Sequence, residues 1–136
     1  EWLIPIYIQL VLLELKYLSR DEKITKISKA TIDRAFNLML EQRNYFENWH
    51  DRIRKVFKAP NEYNFIKELL NVASEKDTIS FNEIFNLAVK YQLESSYKDL
   101  VGSLVYDGYI NNEDDSHVYR YNSPIIRMWW RKNVAN

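Results

Sequence analysis

A few groups of side chains in this sequence have types that could do chemistry, and their spacing decides how far each goes. His50 and His117 are the two histidines, but they are far apart in sequence and no carboxylate pair stands at metal-ligand spacing beside either. Each therefore reads as a surface or internally satisfied histidine. There is no cysteine, which removes thiolate nucleophiles, disulfides and sulfur-ligated zinc. The acidic run Glu113, Asp114 and Asp115 lacks the alternating oxygen ligands and the glycine of a calcium loop, and reads as a solvated turn. Arg52, Arg54, Lys55 and Lys58 form a basic cluster that suits the negative end of a helix dipole; the alternative is that one of these arginines faces an anionic ligand. Arg127, Trp129, Trp130 and Arg131 combine indoles with cations, which fits either core packing or a docking surface for a partner. Only Gly102 and Gly108 are glycines, and glycine supplies the positive backbone angles of phosphate-cradling loops, so no Walker-type or dinucleotide loop can be built. The chain is expected to hold no catalytic residue, no metal and no cofactor of its own.

Such side chains need elements to hold them, and 136 residues with 46% hydrophobic composition supply a core for one ordinary domain or two small ones. The opening run WLIPIYIQLVLLEL is interrupted by Gln9, Glu14 and Lys16, and falls short of the roughly 20 apolar residues that span a bilayer. It lacks a basic leader and a small-residue cleavage site, so it reads as a buried core helix rather than a membrane span or signal peptide. A cytoplasmic protein is expected. The chain begins at Glu1 without Met and enters an apolar helix within a few residues, as expected of a piece cut from a longer polypeptide.

Pro5 suits the first turn of that helix, which can run to about Leu18. Ser28 is a fitting N-cap for a second helix, with Ile27 and Ile32 placed as a hydrophobic staple. Ile32, Phe36, Met39, Phe46, Trp49, Ile53 and Phe57 recur at helical steps, which describes one long helix or, as the favoured reading, two broken near Asn44 to Asn48. The pattern restarts at Pro60 and Asn61, with Tyr63, Ile66, Leu69, Leu70 and Ala73 on one face to about Lys76. Ser80 and Glu83 form a capping box, with Ile79 and Ile84 as its staple, and predict a helix from Phe81 to about Gln92. Ser96 and Asp99 repeat the capping pattern loosely before a helix that Gly108 ends, and Gly102 within it is expected to permit close packing. Tyr109 and Ile110, a polar NNEDDS turn and His117 to Tyr121 then read as a β-hairpin, and Ser123 with Pro124 starts a closing helix.

From Pro60 onward the order is helix, short extended piece at Thr78 and Ile79, capped helix, second helix and hairpin. That is the winged variant of the helix-turn-helix, with the extended piece as third strand. If such a module reads DNA, its second helix should enter the major groove and its hairpin should meet phosphates; Ser96, Tyr97, Lys98 and Arg120 are the residues that would do so. The charges oppose this. Eight Lys and Arg stand against eleven Asp and Glu from Pro60 onward, and the hairpin tip is acidic. A protein-facing or intramolecular role is therefore preferred, with nucleic acid as the disfavoured alternative and no membrane partner.

Taken together, PIYIQLVLLEL, ITKISKATIDRAF, YFENWHDRI and YRYNSPIIRMWWRK resemble the C-terminal region of a family of prokaryotic AAA-type, STAND-like P-loop ATPases, over essentially the whole chain. Chains of that family commonly show a Pro-x-Tyr-x-Gln-Leu run and a closing Ser-Pro-x-x-Arg-x-Trp-Trp pattern. The resemblance implies a mainly α fold in which a helical, lid-like subdomain, residues 1–58, is followed by a winged helix-turn-helix with a small antiparallel hairpin and a closing helix, residues 59–136. It implies that Pro5, Tyr7 and Arg52 lie near a nucleotide, although the glycine that often precedes the proline is not found here. It further implies an upstream ATPase core in the same polypeptide, with ATP and magnesium bound there, and a protein partner or that core as the recipient of its signal.

Overall fold

The computed structural model describes residues 5–21, 28–40 and 43–135. The fold is mainly helical with a small antiparallel sheet: α1 (Pro5–Asp21), α2 (Lys29–Leu40), α3 (Arg43–Val56), α4 (Pro60–Lys76), β1 (Ile79–Ser80), α5 (Phe81–Lys90), α6 (Tyr97–Tyr106), β2 (Ile110–Asn111), β3 (Val118–Tyr121) and α7 (Pro124–Asn133). Two compact units divide between Phe46 and Glu47, inside α3, whereas the sequence pattern places its boundary after residue 58.

In the first unit α1 packs on α2, burying Leu18, Ala35, Met39 and Leu40. Ser28 caps α2, its Oγ accepting the Thr31 N–H at 3.2 Å. Of the expected staple, Ile27 lies outside the described residues and Ile32 is exposed. Two helices form here, as the favoured reading has it, but α2 ends at Leu40 and α3 begins at Arg43, so Asn44 to Asn48 lie within α3 rather than at the break. Phe46 is fully buried there, and burial of a large aromatic outweighs the weak helix propensity of the two flanking asparagines.

The second unit is built around α4. Pro60 opens it at the first turn, and Phe65, Ile66, Leu69, Leu70 and Ala73 are all fully buried. The sheet order is β1-β3-β2, both pairings antiparallel, with Ile79 opposite Tyr119 and Ile110 opposite Tyr121. The extended piece before α5 thus joins the hairpin as its third strand, in the winged-helix order. Ser80 caps α5 reciprocally: its Oγ accepts the Glu83 N–H at 3.2 Å, and Glu83 Oε2 accepts the Ser80 N–H at 2.8 Å. Lys76 donates to the same carboxylate, tying α4 to the cap.

Helices α5 and α6 end alike. Leu93 N–H donates to Ala88 O and Gln92 N–H to Val89 O, while Tyr109 N–H donates to Leu104 O and Gly108 N–H to Val105 O. Both are Schellman motifs with a left-handed residue at the turn, Gln92 at φ 59° and Gly108 at φ 82°. Two expectations fail in α6. The Ser96 side chain makes no cap bond, because its backbone (φ −126°, ψ −11°) is not the extended cap conformation; its carbonyl instead accepts from Asp99 and Leu100 N–H. Gly102 permits no close packing, since a Cβ built there meets nothing within 4 Å.

Two substitutions check this account by chemical denaturation. Ser80→Ala is expected to lower stability by about 1 kcal/mol through loss of the cap acceptor. Gly102→Ala, on an open helix surface, is expected to raise it by about 0.5–1 kcal/mol.

Candidate functional site

The closing helix accounts for most of the residues singled out near the C-terminus. Ser123 Oγ accepts the Ile126 N–H at 3.3 Å and Pro124 fills the first turn, so α7 starts where it must to lay its apolar face on α4. Trp129 is 3% exposed and Trp130 2%. Trp130 Nε1–H donates to Asn71 Oδ1 at 2.7 Å, and Arg127 Nε–H donates to Ser74 O at 3.0 Å while its guanidinium lies 3.6 Å from Asp77. Ser74 is in the last turn of α4, where carbonyls lack helical partners, so Arg127 caps that end. These three side chains are therefore interior or engaged, and the docking role they offered in the sequence does not hold for them. Their burial against α4 is worth more than display to a partner. Arg131 alone of the four is exposed.

His50 belongs to the same interior. Its Nε2 is 2.7 Å from Tyr63 Oη, and its ring meets Trp130 edge-on at 5.1 Å. Burial first, then the charges of Arg54 and Lys67, hold the imidazole below its ordinary value against a smaller opposing pull from Asp51. Tyr109 lies nearby, donating to Trp49 O at 2.9 Å; burial pushes its phenol up to about 12. His117, by contrast, is exposed and pairs with Asp115 at 3.2 Å.

The residues expected to meet a nucleotide fall in both units. Pro5 opens α1, but the side chains of Pro5 and Tyr7 lie outside what the structure describes, and Arg52 is an exposed residue of α3. Among the described residues no group of three or more His, Cys, Asp or Glu could hold a metal. No described helix is long and apolar enough to cross a membrane.

The residues proposed for DNA have other company. Tyr97 meets Phe85 edge-on at 5.9 Å, and Arg120 donates to Asp114 at 2.9 Å, neutralising the cation of the wing within the wing itself. Glu113, Asp114 and Asp115 leave its tip acidic, which repels phosphate. Lys98 at the start of α6 takes part in no described ion pair, and Asp99 follows it directly.

What the sequence reading missed is on α5. Ile84 and Ala88 are buried against the body, but Phe81, Phe85 and Val89 are 43%, 45% and 46% exposed. They recur at i, i+4 and i+8 and so form one gently inclined row that rises about 12 Å at the 1.5 Å per residue of a helix. Phe81 lies on Tyr119 of β3 with centroids 5.2 Å apart. Beside the stripe, Phe81, Ile84, Tyr97, Lys98, Val101 and Tyr119 line a cleft of about 270 Å³ between α5, α6 and the wing. The signal was present: six of the ten residues of α5 are apolar, more than a single buried face uses.

Comparison with known protein families, with curated proteins and with solved structures finds no match for this chain.

The interior histidine gives a pH prediction. The fold holds His50 neutral, whereas an unfolded chain binds the proton at the ordinary 6.5, so stability is complete above about pH 6.5 and falls as pH drops below it. The Glu83 carboxylate, held down by Lys76 and the Ser80 N–H, adds a second loss below its ordinary 4.5. Denaturation midpoints measured from pH 8 to pH 4 check both, and His50→Gln is expected to remove the upper slope only.

Proposed function

We propose that this chain is the C-terminal regulatory region of a P-loop ATPase, a helical lid-like subdomain and a winged helix that relay nucleotide state to a protein partner or back to the ATPase core. The observation that carries the protein-facing part is the α5 stripe: a winged helix with three large apolar side chains in the open and an acidic wing is built to meet protein rather than phosphate. The resemblance of the PIYIQL run and the closing SPIIRMWW run to AAA-type, STAND-like ATPases supplies the link to nucleotide. On this reading ATP and magnesium belong to an upstream core, the lid-like unit contributes Pro5, Tyr7 or Arg52 near the nucleotide, and the whole acts in the cytoplasm. A relay of this kind requires contacts that differ between two nucleotide states, because a segment that binds both states equally shifts nothing.

A second reading, duplex DNA met by α6, has one observation in its favour, the exposed Lys98 at the start of that helix, which makes no ion pair among the described residues. It requires affinity that falls steeply with salt.

The test of the first reading compares nucleotide turnover and affinity of the parent polypeptide with those of one ending before Glu1. A change in either is expected; identical behaviour would overturn the relay. For the second, fluorescence anisotropy with mixed-sequence duplex at low salt is expected to show no saturable binding, and a complex weakened by Lys98→Glu would reinstate it.

A further inference from the structure

The stripe and cleft of α5 have a shape and a charge that narrow the partner. The floor is apolar: Phe81, Ile84, Val101 and Tyr119 with the ring of Tyr97. The charged groups of α5 are already paired, as is His117 on the wing. Glu83 is held by the Ser80 N–H and Lys76, Lys90 donates to Glu68 at 2.9 Å, and His117 at the base of β3 pairs with Asp115. Lys98 is the exception: it lines the cleft, is exposed, and makes no described ion pair. Lys98 also borders a neighbouring cleft with Asp99, Gly102, Ser103, Tyr106 and Asp107, but no described ion pair joins it to either acid, and it is the one charged side chain that lines the cleft beside α5.

We infer that the α5 stripe and the cleft beside it receive a short amphipathic helix of a partner protein, its apolar side chains on Phe81, Phe85 and Val89 and an acidic residue on its flank paired with Lys98. This rests on the protein-facing reading above and names the partner's chemistry. A helix rather than an extended strand fits because the exposed residues repeat at helical spacing along a single axis, so a second helix laid beside α5 meets all three in successive turns. An acidic rather than a basic flank fits because the one charged side chain lining this cleft is a lysine, and like charges brought together there would be opposed. A partner carboxylate also gains from the apolar floor, which excludes water from the pair it forms with the ammonium group.

The probe is a fluorescein-labelled helical peptide with Leu at i, i+4 and i+8 and Glu on one flank, titrated into the 136-residue chain and followed by anisotropy and by amide chemical shifts. Expected are saturable binding with shifts confined to α5, the start of α6 and Tyr119, and at least a tenfold weakening when the peptide's Glu residues become Lys. Lys98→Glu should invert that preference, and Phe85→Ser should weaken both peptides alike. Both substitutions are of exposed residues, and an unchanged thermal midpoint confirms that each variant is folded. Absence of binding at millimolar peptide, shifts elsewhere, or equal affinity for acidic and basic peptides that Lys98→Glu leaves unaltered would each overturn the inference. Concentration-dependent dimerisation of the chain abolished by Phe85→Ser would overturn it in favour of a second copy as occupant. The relay stands or falls separately: acidic-peptide binding with turnover unaffected by truncation keeps the groove and removes the relay, and the converse result does the reverse.

Discussion

The second unit depends on the C-terminal half of α4 being held from one side by side chains that arrive late in the chain. Tyr121 donates to Leu70 O at 3.0 Å, Trp130 to Asn71 Oδ1, and Arg127 to Ser74 O, three successive attachments along a single helix. The first gives the buried Tyr121 hydroxyl a partner and the other two satisfy acceptors of α4 that the helix itself does not, and an unpaired buried polar group costs about 1–3 kcal/mol. Leu70 and Ser74 are themselves fully buried, and the Tyr121 bond is made wholly in the interior while those of Trp130 and Arg127 are half-buried. The hairpin and α7 therefore cannot slide along α4 without breaking all three together.

That arrangement decides what remains outside. With α7 packed on α4 on one side, α5 reaches the body through Ile84 and Ala88, and the Glu68 carboxylate of α4 accepts from Lys90 and Tyr91 at its far end. Burial raises that carboxylate's affinity for a proton, but the Tyr91 and Lys90 bonds outweigh it and leave Glu68 below its ordinary range. Helix α5 is thus pinned at both ends, by the capping box and Lys76 at its start and by Glu68 at its close. Its orientation is fixed, and its remaining apolar residues cannot rotate inward. The exposure of Phe81, Phe85 and Val89 follows from these constraints and leaves an apolar surface that costs free energy in water until something covers it.

Much of this was readable from local signals, because those signals act within a few residues. Ser80 with Glu83, Pro60, and Ser123 with Pro124 each satisfy or remove backbone donors at a helix start, and the structure places α5, α4 and α7 there. The hairpin and its third strand were legible for the same reason, from a change of period after Gly108. What sequence could not deliver depends on distant partners. Nothing within a few residues of Trp130 says that Asn71 waits for its indole, or that Arg127 caps a helix ending fifty residues earlier. Gly102 looked like a packing residue because a mid-helix glycine usually needs a reason, and in the fold no neighbour approaches it. The break between α2 and α3 falls a few residues before Asn44 to Asn48, and the burial of Phe46 that keeps those residues helical could only be known from the fold.

The wing is the part most often read as a DNA contact, and its internal chemistry points elsewhere. Asp115 accepts from the His117 N–H and ring, Asn111 Oδ1 accepts the Glu113 N–H, and Asp114 accepts from Arg120. The turn is thus closed by its own side chains, as short polar residues close turns generally. Asp115 is spent on shaping the loop and Asp114 on the one arginine of the wing, so the tip has neither the free cations nor the open donors that phosphate recognition requires. What the hairpin does present is Tyr119, one residue before that arginine and set against Phe81 across the β1 pairing. A wing that holds an aromatic ring in place beside an apolar helix extends that helix's surface, and this is the contribution that a protein-facing winged helix asks of it.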